Sequence, residues 1–125
     1  KNKITSSLSV FELMQPMLGE LPHEEFWIIY LNNSNKVIQK SQLSKGGITG
    51  TLVDVRLVLK NALEFGATGL ILVHNHPSGD PTPSEADITM THQIQTAAQA
   101  LGLTLHDHLI IGKSCEISFR AQGYL

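Results

Sequence analysis

Cys115 is the only cysteine in the 125 residues, so no disulfide can form within the chain. That suits a reducing cytosol, and a cytoplasmic location is the expectation. Charge is also sparse. Nine Lys and Arg against eleven Asp and Glu leave a net charge of −2, which gives no general pull toward nucleic acid. Lys36, Lys40, Lys45, Lys60, Lys113 and Arg120 are scattered and form no basic run. At 6% aromatic content, no platform for stacking bases stands out. No apolar run approaches the roughly 20 residues that a membrane span requires, and the N-terminus does not read as a secretion signal. Repeats, low-complexity tracts and coiled-coil heptads are missing as well. What remains is an ordinary apolar fraction of 42%, in a length that suits one folded domain with a real core. The chain opens on Lys1 rather than Met and reads as an excised piece of a longer protein.

The rest of the chain is organised around His74-Asn75-His76-Pro77. The apolar run Leu70 to Val73 just before it reads as a buried strand. Residues i and i+2 of an extended chain point to one face, so both imidazoles can look at one point beyond the strand's end. Asn75 then points the other way, toward backbone partners. Ten residues, rich in Gly and Pro, separate His76 from Asp87. Two neutral imidazoles, one carboxylate and a position left for water are the ligand arithmetic of a catalytic zinc site. Asp87 has a competing use, because Ser84 and Asp87 have the spacing of a capping box. Thr82 offers a different cap, with Pro83 at the first helical position and Glu85 closing the box. That choice leaves Asp87 free to reach a metal, and it is the expectation. A base for hydrolysis is available at Glu24 or Glu25, of which only one can face the site because neighbours alternate.

His74-x-His76 with Ser84 and Asp87 at these spacings resembles the JAB/MPN metalloenzyme motif. More closely, His74-Asn75-His76-Pro77-Ser78-Gly79 resembles the JAB domain of the bacterial RadC family, from about Glu24 to Leu125. The resemblance implies a three-layer α/β/α fold, related to the cytidine deaminase fold, with a mixed central sheet. It implies one zinc ion held by His74, His76 and Asp87. The family's Glu-x-Phe element matches Glu24-Glu25-Phe26 and selects Glu24 as the base. Ser84 matches the serine that supports the oxyanion. The implied activity is hydrolysis of peptide or isopeptide bonds in a peptide or protein substrate. RadC-like proteins usually carry a helical region with helix-hairpin-helix character ahead of this domain, and that region is missing from these residues.

The chain in order supports an α/β arrangement. Residues 5–19 read as a short helix that Pro16 bends or ends, and residues 1–22 as a helix and linker ahead of a domain at 23–125. Glu24 to Leu31 and Lys36 to Ser44 read as a hairpin around Asn32-Asn33-Ser34-Asn35, with Val37, Gln39, Ser41 and Leu43 on one face. Its exposed strand offers an edge through which two copies could pair as a homodimer. Lys45 to Thr51, with three glycines, reads as a flexible connection, and the family resemblance implies that it borders the active-site side, where it could contact substrate. Leu52 to Phe65 reads as a helix ended by Gly66, 84–101 as another, Leu103 to Ile111 as a strand and Glu116 to Arg120 as a last strand. Asp107-His108 matches a family Asp-His element and reads as a supporting pair near the site. His23 reads as solvated and His92 and His106 as ordinary polar residues, although the strand period of two puts His106 and His108 on one face, where they could form a second metal pair; Cys115 reads as a buried or semi-buried strand residue.

Competing functions follow from the same letters. The family's association with DNA repair raises a DNA-associated or protein-binding module with little or no hydrolytic activity. His-Asn-His does not make an HNH nuclease, whose three residues are spread over a ββα-metal unit. A nucleotide deaminase, which the likeness of the JAB fold to the deaminase fold raises, needs a Pro-Cys-x-x-Cys pair, which one cysteine cannot supply. The complete set Glu24, His74, His76, Ser84 and Asp87 argues against a domain that has lost its chemistry.

Overall fold

The computed structural model describes residues 3–45 and 53–125. Helix α1 spans Ser7–Leu18, β1 Glu25–Leu31, β2 Val37–Lys45, α2 Val55–Phe65, β3 Gly69–Asn75, α3 Glu85–Ala100, β4 Thr104–Ile111, β5 Glu116–Ser118 and α4 Phe119–Gln122. The five strands form one sheet in the order β2-β1-β3-β4-β5. β3 and β4 run parallel, linked by α3, and the other neighbours are antiparallel. This is the mixed sheet flanked by helices that the JAB/MPN fold calls for. No helix among the described residues is long and apolar enough to cross a membrane.

Alternation along the strands builds two cores. Phe26, Ile28 and Tyr30 of β1 and Leu70 and Leu72 of β3 face α2 and α3, where Val58, Ala62, Ile94 and Ala98 meet them. Ile29 and Leu31, Ile71 and Val73, and Leu109 and Ile111 face the other way, onto Val10, Met14 and Leu18 of α1. All seven residues of β3 are buried, as expected of a strand covered on both faces. By the same alternation His74 falls on the α3 side. α3 begins beyond the loop that leaves β3, so its first turn and the strand's last residues come together.

Several local expectations need correction. α1 runs through Pro16 to Leu18, so of the two expected effects the proline does not end the helix, and Leu18 beyond it still packs in the core. Val37 lies against the α1 core, whereas Ile38 and Leu43 both pack against the other. Register shifts opposite Phe26/Trp27 and Tyr30/Leu31 interrupt the simple period of two that grouped Val37 with Leu43. The last strand stops at Ser118, whose side chain accepts the Ala121 N–H and starts α4 in place of a longer strand. Cys115 is exposed in the β4–β5 turn, with its Sγ 3.4 Å from the Gly79 carbonyl. The predicted start of α2 at Leu52 and the connection of 45–51, apart from Lys45, which ends β2, lie outside the described residues; the described helix begins after Asp54, whose carboxylate accepts the Arg56 and Leu57 N–H groups.

Tyr30 provides a test of the α2-facing core. It is fully buried and its hydroxyl donates to the Val58 carbonyl at 3.3 Å. Burial pushes its pKa up to about 12, against a smaller opposing effect of Asn61. A raised pKa means stability is fully present below the unfolded value near 10 and is lost as pH rises toward 12. A shift of this size corresponds to about 3 kcal/mol at most. Urea titrations between pH 9 and 12 should show a steeper alkaline loss for the native protein than for Tyr30→Phe.

Candidate metal centre

β3 delivers its two histidines by ordinary strand geometry. His74 is fully buried, stacked on Phe26 with ring centroids 5.4 Å apart. His76 stands just past the strand, and its backbone N–H still bonds the Ile111 carbonyl of β4. The loop then folds back. Gly79, at φ +92°, adopts a conformation that L side chains avoid, and its N–H returns to the His76 carbonyl. Asp80 is thereby placed with its carbonyl 2.9 Å from His76 Nδ1. A carbonyl can only accept, so Nδ1 bears the proton and the Nε2 of the neutral ring presents a lone pair. Gly112 supports the loop from below. A Cβ there would lie 2.5 Å from the Gly79 carbonyl oxygen, which is backbone and has no rotamer to escape into.

Glu24 enters from the neighbouring strand. It precedes β1, and the segment around it is held by Asn75. The Asn75 side-chain oxygen accepts the Glu25 N–H at 2.8 Å, and its amide donates to the His23 carbonyl at 3.0 Å. The residue between the two histidines therefore clamps the backbone on both sides of Glu24. Glu25 turns away, toward His23 Nε2 at 2.8 Å and the Trp27 indole at 3.0 Å. His23, expected to be solvated, is thus partly buried against the Glu25 carboxylate. The Glu24 carboxylate reaches within 3.5 Å of His74 Nε2. Asn75→Ala should loosen this segment while both imidazoles stay in place. We expect metal uptake within a few-fold of native and a loss of stability of about 1–3 kcal/mol from the exposed bonding groups, read by metal titration and denaturant melts.

Asp87 closes the group from the first turn of α3. Its Oδ1 lies 3.5 Å from His74 Nε2 and its Oδ2 3.4 Å from His76 Nε2. The expected cap is corrected here. Ser84, not Thr82, is the N-cap of α3: its Oγ accepts the Asp87 N–H at 3.0 Å, and Asp87 Oδ2 accepts the Ser84 N–H at 2.9 Å. Thr82 is occupied by Asp80, whose carboxylate takes both its N–H and its hydroxyl. Capping and facing the imidazoles are not alternatives, because a carboxylate has about four lone-pair sites. Ser84 stands exposed beside Asp87, and its own hydroxyl proton is not needed for the cap.

The electrostatics fit a cation. Burial alone would raise the Asp87 carboxyl, but His74, His76 and the Ser84 N–H hold it well below the usual carboxylate range. Burial opposes charge on His76, yet Asp87, the Asp80 carbonyl and Glu24 outweigh it and raise its pKa. Glu24, His74 and His76 have donor atoms within 4.8 Å of one another, and the two Nε2 atoms are 3.1 Å apart. Metal–ligand bonds of roughly 2.0–2.1 Å in tetrahedral zinc sites imply ligand–ligand edges near 3.4 Å. The Nε2–Nε2 separation of 3.1 Å and the Glu24–His74 separation of 3.5 Å lie around that value, and Asp87 approaches the two rings through different oxygens, Oδ1 at 3.5 Å from His74 and Oδ2 at 3.4 Å from His76. The residues present therefore fit a small divalent ion.

Behind His74 lies His108, fully buried on β4, with its Nε2 2.8 Å from His74 Nδ1. Burial, and then the neighbouring His74, push the His108 imidazole well below its usual range. Thr91 of α3 stands 2.6 Å from His108 Nδ1. Asp107 does not share this position. Its carboxylate holds Ser118 Oγ at 2.5 Å and the backbone N–H groups of His108 and Arg120, so it fastens β5 and α4 to β4. His106 occupies a register shift opposite Leu70/Ile71 and lines a cavity on the α1 side with Asp107. His106 and His108 thus do not form a metal pair. Helical spacing puts Thr91 among the contact positions of α3, and nothing in its sequence neighbourhood marks it for this role beside His108.

A β-strand ending in two imidazoles, joined by carboxylates from a neighbouring strand end and the following helix, defines a JAB-type domain with a metal-capable site. The family model for the RadC-like JAB domain matches residues 4–124, and the chain belongs to that family. It is 62% identical over 121 residues to a UPF0758 protein of Flavobacterium johnsoniae, covering 97% of this chain and 53% of that protein. A UPF0758 protein of Ruegeria pomeroyi is 58% identical over 102 residues, covering 82% of this chain and 46% of that protein. For one from Porphyromonas gingivalis the identity is 44% over 126 residues, with 100% and 56% covered. The chain spans about half the length of these curated relatives.

Proposed function

We propose that this domain is a zinc-dependent hydrolase of peptide or isopeptide bonds, with His74, His76 and Asp87 as the metal ligands. The observation that carries this reading is the convergence of both Nε2 atoms and the Asp87 carboxylate at separations of 3.1 to 3.5 Å. Bound there, zinc would supply Lewis acidity toward a carbonyl oxygen and toward water. The protein's own groups do the rest. Glu24 takes one proton from the attacking water and passes it to the nitrogen that leaves. Ser84 donates its hydroxyl to the carbonyl oxygen as that atom gains charge. Water and amide thus become acid and amine, with Glu24 returned to its starting state. The buried ring of Phe26 stacks on His74 and limits its motion.

One observation favours a second reading. Glu24 is as close to His74 Nε2, at 3.5 Å, as Asp87 is. If Glu24 is itself a ligand, four protein groups close the site in the manner of a structural zinc centre. The domain would then be a binding module of a RadC-like protein, DNA-associated or protein-binding. Metal content measured by mass spectrometry, followed by a peptide-library cleavage screen of the zinc-loaded domain, separates the readings. Zinc at one equivalent with cleavage supports the hydrolase. Zinc at one equivalent with no cleavage supports the module.

A further inference from the structure

We propose that Thr91 and His108 are positioning residues that set the tautomer of His74 and so keep its Nε2 lone pair turned toward the metal-capable site. The proposal rests on the metal reading above for its purpose, though not for its geometry. It follows from one carbonyl group. The Thr91 hydroxyl bonds the Asp87 backbone carbonyl at 2.7 Å, and a carbonyl can only accept, so the single hydroxyl proton is spent there. Toward His108 Nδ1, at 2.6 Å, Thr91 Oγ1 can therefore only accept. His108 Nδ1 bears the proton. In a neutral ring its Nε2 is then the acceptor, and the 2.8 Å bond to His74 Nδ1 requires His74 to donate from Nδ1. The remaining nitrogen, His74 Nε2, is left as a lone pair 3.1 Å from His76 Nε2.

Each step is enforced by burial. His74, Thr91 and His108 are all at 0% exposure, so no solvent molecule can replace a lost partner or reverse a donor. A charged His108 would place an imidazolium at 0% exposure with no carboxylate hydrogen-bonded to it, an arrangement that burial strongly disfavours. The chain also closes on itself. Asp87 starts it with its backbone carbonyl and meets its far end with its carboxylate, 3.5 Å from His74 Nε2. One helical turn, from Asp87 to Thr91, thus carries both a facing carboxylate and the acceptor that orders the opposite imidazole. His76 reaches the same tautomer independently, through the Asp80 carbonyl.

The test uses the metal-free chain and then zinc alone. Nitrogen-15 NMR of the metal-free protein should show His74 with a protonated Nδ1 and a bare Nε2. Thr91→Val is nearly isosteric and removes both the acceptor for His108 and the donor to the Asp87 carbonyl. It should yield mixed tautomers at His74 and weaken zinc binding by about 10- to 100-fold, the usual scale for groups that orient a ligating histidine. His108→Gln, whose amide can donate to Thr91 and accept from His74, should retain more affinity than His108→Leu. A His74 ring protonated at Nε2 in the native chain would overturn the proposal. So would a Thr91→Val chain that keeps both the native tautomer and the native zinc affinity. A native chain that takes up no zinc would sink the metal reading instead, and the NMR result would still stand or fall alone.

Discussion

Replacing Glu24 with Gln should leave one zinc bound and remove hydrolysis. Gln keeps the length and the hydrogen-bonding tip of the side chain but cannot take a proton. General acid–base groups typically contribute about 10²- to 10⁴-fold, and turnover in the cleavage screen should fall by at least that lower figure. The backbone around residue 24 is held by Asn75 through the Glu25 N–H and the His23 carbonyl, so the substitution does not touch what positions it. Metal titration of the same variant reads out the competing role. A base that is not a ligand leaves zinc affinity within a few-fold. A ligand lost from the set lowers affinity by at least about the 100-fold seen even for supporting groups. That result would move the domain to the binding-module reading.

How much of this was legible follows from the range over which each feature is encoded. His74 and His76 lie two apart on one strand, and the local period of two places them together without any knowledge of the fold. The same period turns Asn75 to the other side, where it meets the segment carrying Glu24. Choosing between Glu24 and Glu25 needed the family resemblance, because the strand that either one heads could not be aligned with β3 from its own residues. The acceptor for His74 Nδ1 lay further out of reach. It depends on the parallel register of β3 with β4, in which His108 pairs opposite Leu72 and Ile110 opposite His74. That register contains a shift beside Ile71, so counting residues along β4 puts His106 and His108 on one face when they are on two. Local chemistry was misread at the start of α3 for a different reason. Thr82 and Ser84 are both good caps, and Asp80, by capturing Thr82, decides between them. The cap and the ligand are not exclusive uses of Asp87, because a carboxylate has lone pairs enough for both.

The two uses of Asp87 can be separated by a pair of substitutions. Ser84→Ala removes the acceptor for the Asp87 N–H and leaves the carboxylate facing the imidazoles. A lost N-cap costs about 0.5–2 kcal/mol, so this variant should melt earlier yet still gain stability when zinc is added. Asp87→Ala removes both. It loses the bond to the Ser84 N–H, and it strips from His74 and His76 the carboxylate that stands 3.5 and 3.4 Å away. Zinc affinity should fall by at least about 100-fold. A ligand that binds only the folded state stabilises it by RT ln(1 + [L]/Kd), about 2.7 kcal/mol at a hundredfold excess over Kd. At a zinc concentration set to that excess for the native chain, nearly all of this gain should vanish in Asp87→Ala and persist in Ser84→Ala. Denaturant melts with and without zinc measure it directly. Equal zinc-dependent gains in both variants would mean that Asp87 only caps α3, and that the two imidazoles and Glu24 hold the ion without it.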